Sequence, residues 1–169
     1  MDSRWPKLIF VLLLLYATVH FAFVYPQLPR VVASHFDGRG VPNGWQPKQA
    51  FFGVVVVVSV VVAAIGFAIP KMIAILPTQL INLPNKNYWL APERLAETMA
   101  FLEANFAWFA CVLFLFNILV FDNAVQINLR PGSPPSPARF WYILAAFLLF
   151  TGVWTIRMLT KFLRLPEKN

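Results

Sequence analysis

Residues 50–69 read Ala50-Phe51-Phe52-Gly53-Val54-Val55-Val56-Val57-Val58-Ser59-Val60-Val61-Val62-Ala63-Ala64-Ile65-Gly66-Phe67-Ala68-Ile69, twenty positions without a charged side chain. The valines at 54–58 and 60–62 favour a strand in water, because β-branched side chains pack well on a pleated surface. Length decides against that reading. A strand runs about 5–6 residues, whereas about 20 apolar residues rising 1.5 Å each cross the hydrocarbon of a bilayer. A lone strand in lipid would also leave its N–H and C=O groups unpaired, and a helix pairs them internally. The segment is therefore read as a membrane-spanning helix closed by Pro70 and by Lys71, whose stem snorkels toward the headgroups.

Three further segments follow the same logic. Leu8–Tyr25 is eighteen residues long without Asp, Glu, Lys or Arg. Arg4 and Lys7 before it, with small residues near Val31–Ala33, also fit a secretory signal. Its apolar run exceeds the usual core of about 7–15 residues, and Pro26 and Pro29 fall before the cut, so it is read as a retained helix. Ala91-Pro92-Glu93-Arg94 is a helix start, with Pro92 where a missing N–H costs nothing and Glu93 near the positive helix end. That helix becomes apolar from Ala104 to Phe121, with Asp122 and Asn123 marking its exit. Phe140–Leu159 is the fourth, led by the interfacial pair Trp141 and Tyr142 and ending near Arg157. The chain thus divides into spans at 8–25, 50–70, 100–121 and 140–160. Between them lie an outer loop (26–49), a cytoplasmic or interfacial connection (71–99) and a Pro-rich outer loop (122–139), with a basic tail (161–169) after the last.

Composition agrees. Of 169 residues, 59% are hydrophobic and 12% charged, against about 25% charged in soluble domains. Too few polar residues remain to cover a water-facing surface, which excludes disordered, collagen-like and disulfide-scaffold classes along with soluble enzymes. Cys111, the single cysteine, has no partner for an intramolecular bridge. The expected fold is all-α, an integral membrane four-helix bundle with a structured extracytoplasmic loop. Nine lysines and arginines fall on the side of the termini and five on the other, which places both termini in the cytoplasm. The net charge of +7 is then a signal for topology and lipid headgroups. It is not one for nucleic acid, which needs a basic patch on a soluble face.

The chemistry concentrates in Tyr25–Trp45, which packs three glycines and three prolines around Ser34-His35-Phe36-Asp37. Asp37-Gly38 and Asn43-Gly44 are turn dipeptides, and Val31–Phe36 can pair as a short strand. Leu28-Pro29, Ser34-His35-Phe36, Asp37-Gly38, Gly40, Pro42-Asn43-Gly44 and Trp45 together resemble the bacterial membrane module DUF1648, found at the N-terminus of SdpI-like immunity and signalling proteins. Asn87-Tyr88-Trp89-Leu90-Ala91-Pro92-Glu93-Arg94 resembles the cytoplasmic element after the second span in short members, so the likeness covers roughly residues 8–100. It implies a protein of the bacterial cytoplasmic membrane. SdpI-like proteins carry further helices and a second signature, so immunity or signalling does not transfer directly. The candidate binding residues are Pro29, His35, Phe36, Asp37, Gly40, Pro42, Asn43, Gly44 and Trp45, with Asn87, Tyr88, Trp89, Pro92, Glu93 and Arg94 as the cytoplasmic motif.

Other chemistries find little support. His35 and Asp37 are two ligands where a structural zinc site wants about four, so no metal and no cofactor are expected. Gly38, Gly40 and Gly44 lack the strand and helix that frame a phosphate cradle. No nucleophile, base and orienting group assemble on one membrane face, so no catalytic residue is assigned and enzyme activity is not expected. His20, Glu103, Asn105 and Asn117 lie at or within the spans and are read as packing residues. The leading expectation is a non-enzymatic membrane protein whose outer loop recognises a peptide, lipid or protein partner. The alternative is an accessory subunit of a larger membrane complex, suggested by Phe101, Phe106, Phe109, Phe114, Phe116 and Phe121 spread around the third span.

Overall fold

The computed structural model describes residues 4–130 and 137–165. Helix α1 (Arg4–Val24) ends in a 3₁₀ turn (Tyr25–Gln27) and leads into an antiparallel hairpin of β1 (Val31–Phe36) and β2 (Pro42–Pro47). Then come α2 (Lys48–Ala63), a π-helical turn (Ala64–Ala68) and α3 (Ile69–Ile75), which form one helical rod. After a short 3₁₀ turn (Thr78–Leu80) and α4 (Lys86–Trp89), the chain runs through the 38-residue α5 (Pro92–Leu129) and finishes with α6 (Pro137–Leu163). Four of these segments, α1, the α2–α3 rod, α5 and α6, are long and apolar enough to cross a membrane. The chain is all-α apart from the hairpin, and the valine run is wholly helical.

The organising element is α5, against which α1, the rod and α6 all pack. Ala104, Ala107 and Ala110 are completely buried on it at three-residue spacing, and small side chains are what let neighbouring backbones come close in lipid. Gly66, inside the π-helical turn, rests on that stripe: an added Cβ would collide with the Ala110 methyl and meet Phe106 O at 3.6 Å. The rod does not stop at Pro70 but continues to Ile75. Proline supplies no N–H to the turn before it, and a widened turn is a common way to absorb that gap without ending the helix. Gly66→Ala is expected to lower stability by about 1–2 kcal/mol through overpacking. Gly53, which has nothing within 4 Å of an added Cβ, tolerates the same change; thermal unfolding of both variants in detergent checks the contrast.

The phenylalanines of α5 meet aromatic rings of α1, α2 and α6. Phe114 lies 5.0 Å from Phe10 of α1, Phe121 5.6 Å from Phe51 of α2, and Phe116 4.3 Å from Phe147 of α6. Phe109 meets Trp154 at 4.6 Å with the rings tilted by 38°, and Phe101 meets Phe162 edge-on at 5.8 Å. Their spread around the helix is therefore accounted for by contacts within the chain.

The end of the third span also differs from the sequence reading. Residues 122–129, expected to begin a loop, continue α5 to Leu129. Val125 is 1% exposed, Gln126 donates to Asp122 and Asn128 to the Ala124 carbonyl, each one turn away, so the polar residues serve the helix instead of ending it. Of the proline-rich stretch, 131–136 lie outside the described residues, as do 166–169 of the basic tail; Lys161 belongs to α6.

Candidate functional site

The hairpin tip is built by Asp37. Its Oδ1 accepts the amides of Arg39 and Val41, both at 2.9 Å, while its own amide donates to Val41 O and its carbonyl accepts from Gly40 N. Gly40 sits at φ 79°, a left-handed conformation that glycine adopts without steric cost. The Val41 amide chiefly holds the Asp37 carboxyl below the usual carboxylate range, against an opposing desolvation and with Arg39 adding to the lowering. The turn is thus a self-contained Asp-centred device.

Two irregularities shape the strands. Ala33 pairs with Trp45, His35 with Gly44 and Phe36 with Pro42, so Ser34 bulges on one strand and Asn43 on the other. Asn43-Gly44, a turn dipeptide by sequence, therefore lies within β2. Bulges re-aim side chains: the His35 ring pairs with Asn43 Oδ1, and Gly44 is needed opposite it because an added Cβ would sit 2.9 Å from His35 Cβ. Trp45 is 62% exposed, Pro29 is exposed just before β1, and Phe36 turns toward the bundle.

Several groups fix this hairpin to the helices. Asn128 of α5 acts as a substitute strand edge, accepting the Ala33 amide at 2.7 Å and donating to the Ala33 carbonyl at 2.9 Å. Lys48 donates to the Tyr25 and Leu28 carbonyls at the end of the first helix and lies 4.5 Å over the Tyr25 ring. Trp141 of α6 donates its indole N–H to Gly38 O at 3.2 Å. Below the tip, Asp122 joins three helices: Oδ1 is 2.9 Å from His20 Nε2 of α1, and Oδ2 accepts from Arg139 of α6 at 2.7 Å. His20 also stacks on Tyr16, with ring centroids 5.6 Å apart.

Between hairpin, α5 and α6 these contacts enclose a cavity of about 210 Å³. Phe36, Phe51, Phe121, Phe140 and Trp141 form most of its walls, and Ser34, His35 and Asn123 supply polar groups along them. A small number of placed polar groups on an apolar wall is the usual composition of a ligand pocket. Among the described residues no cluster of three or more His, Cys, Asp or Glu has metal-binding geometry.

The second motif lies at the other end of α5 and takes no part in this cavity. Trp89 is buried and donates Nε1–H to Phe162 O at 3.2 Å, while Asn85 Nδ2 donates to the Phe162 and Leu163 carbonyls. These are carbonyls of the last turn of α6, which its own backbone leaves unsatisfied. Arg94 sits 4.0 Å over the Tyr88 ring and pairs with Glu93 at 2.9 Å, Pro92 opens α5, and Asn87 is exposed. The motif is thus a clasp on the end of α6. Asn128, Asp122, Arg139, Trp141 and Asn85 carry the decisive contacts and were not among the candidate residues. Each is an ordinary polar or aromatic residue near a helix end, and the meaning of each depends on a partner between 17 and 103 positions away.

No curated protein matches the sequence, and no solved structure matches it. A family model does: it covers α1 from Ile9, the whole hairpin and α2 as far as Ser59, and leaves the Asn87–Arg94 motif outside. The match is to DUF1648, a domain of unknown function, over residues 9–59 of a chain with four membrane-length helices among its described residues.

Proposed function

We propose that this is a non-enzymatic multi-pass protein of the bacterial cytoplasmic membrane whose hairpin face recognises an apolar side chain of a peptide or protein partner. The observation that carries the reading is the aromatic-walled cavity of about 210 Å³ beneath the Asp37 turn. It is somewhat larger than the engineered space of about 150 Å³ that admits benzene, a size suited to one aromatic or branched aliphatic group. The lysine and arginine excess on the side of the termini supports a hairpin face outside the cytoplasm, where secreted or periplasmic chains pass.

The test uses the full chain in lipid nanodiscs and N-acetyl-4-fluorophenylalanine amide as probe, followed by fluorine NMR. Saturable broadening with a dissociation constant of about 1 mM is expected, because a single side chain supplies only about 4 kcal/mol. Ala124→Leu, which grows into the cavity from a wall position, should weaken binding at least about tenfold. Trp45→Ala, on the exposed face of β2, should leave it unchanged. Equal broadening in wild type and Ala124→Leu would sink the proposal.

A further inference from the structure

At the end of the bundle away from the hairpin, α6 carries Arg157 and Lys161, and Arg164 follows its last residue with its amide still donating to Thr160 O, so the four- and three-residue spacing puts all three on one side. They line a concavity of about 490 Å³ whose remaining wall includes Trp89, Phe101 and Thr160. Among the described residues none of the three forms an ion pair: Glu93 is taken by Arg94, and Glu97 and Glu103 of α5 pair with none of them. Lys161 instead lies 4.5 Å over the Trp89 ring and 5.4 Å from Phe101, which holds its ammonium at the concavity. Three cations converging on one hollow, with no carboxylate paired to them among the described residues, leave a site of positive charge.

Its place in the fold identifies what would fill it. The apolar run of α6 ends at Ile156, and Arg157 follows directly. Arg164 lies about 10 Å further along the helix axis, so the cluster straddles the depth where hydrocarbon gives way to headgroups. Val153, exposed one turn before Arg157, and Leu149, exposed one turn before that, carry this side of the helix into the hydrocarbon. A water-borne anion has no use for that apolar track, whereas an anionic phospholipid uses both parts.

We infer that Arg157, Lys161 and Arg164 form a specific site for an anionic phospholipid, the phosphate held in the basic hollow and an acyl chain lying along Val153 and Leu149. Basic hollows between membrane helices favour anionic headgroups by charge, each nearby cation adding to the attraction, and the clasp made by Trp89 and Asn85 fixes the helix end on which the cations stand.

The experiment is native mass spectrometry of the full chain released from nanodiscs of equimolar dioleoyl-phosphatidylglycerol and dioleoyl-phosphatidylcholine. Wild type should retain phosphatidylglycerol over phosphatidylcholine by about tenfold. The preference should vanish in R157Q/K161Q/R164Q and fall in the single variants R157Q and R164Q, whose helical content is checked by circular dichroism. K71Q/K86Q, which removes cations from the same end of the bundle but outside the hollow, should keep it. Equal retention of both lipids by wild type overturns the site without reference to any variant. An equal fall in K71Q/K86Q reduces it to diffuse surface charge, and displacement of the lipid by millimolar inorganic phosphate makes it a site for a soluble anion; either result overturns the proposal.

Discussion

Asn128→Ala is expected to free the hairpin from the helices. The alanine removes the acceptor for the Ala33 amide and the donor to the Ala33 carbonyl, while Ala33 itself is 5% exposed. Two backbone groups are then left without partners in a place water reaches poorly. Each costs about 1–3 kcal/mol, so a loss of about 2–4 kcal/mol follows. Asn128→Asp keeps the acceptor and loses the donor, which should place it between wild type and alanine. Amide exchange at Ala33 and tryptic cleavage at Arg30 and Arg39 are the measurements. Both should accelerate in the alanine variant, and wild-type protection of Ala33 would show that the clamp contributes nothing. Because the cavity beneath Asp37 is closed on one side by this hairpin, the same variant should also lose the fluorophenylalanine signal.

How far the sequence reaches can be seen by comparing Asp37 with Asn128. The role of Asp37 is local: a carboxylate two and four residues before the amides it accepts, followed by a glycine at the left-handed position, is readable from the order of residues. The four spans are equally legible, since length and absence of charge overrule the strand preference of valine once the solvent is lipid. Asn128, by contrast, lies 95 residues from Ala33, and nothing near it in the chain distinguishes a strand-edge mimic from a helix-ending asparagine. The same holds at Asn43-Gly44, where a turn signal is overridden because the strand must bulge to seat His35 opposite a residue without a side chain. Trp89 shows a third case. Its motif was visible, but its work of capping the carbonyls of α6 requires knowing that the last helix returns beside the second connection. The cavity escapes the sequence for the same reason, since its walls come from four elements, β1 and its turn, α2, α5 and α6.

The Asp122 network carries the other large effect. At the hairpin end, α6 is tied down by Arg139 on Asp122 and by Trp141 on Gly38, and the membrane-length window of α6 buries no residue inside the chain. Its position there rests on few polar contacts. Asp122 is 15% exposed and bridges His20 and Arg139, so Asp122→Ala leaves a histidine and a guanidinium facing the place of a missing carboxylate. Removing one member of a buried pair costs about 3–5 kcal/mol. Arg139 is 45% exposed and rehydrates, which lowers the expected loss to about 2–4 kcal/mol. Asp122→Asn keeps hydrogen-bonding atoms near both partners but loses the charge, and should lie about halfway. The double-mutant cycle of Asp122→Asn with Arg139→Gln isolates the pair: a coupling of about 1–2 kcal/mol is expected, smaller at high salt because one partner reaches water. His20→Gln, which retains a donor toward Asp122, should cost less than either. If Asp122→Ala unfolds at the wild-type temperature in detergent, α6 is held by its ring contacts with α5, by Trp141 on Gly38 and by the Trp89 and Asn85 clasp, and the carboxylate is not the bolt that joins the three helices.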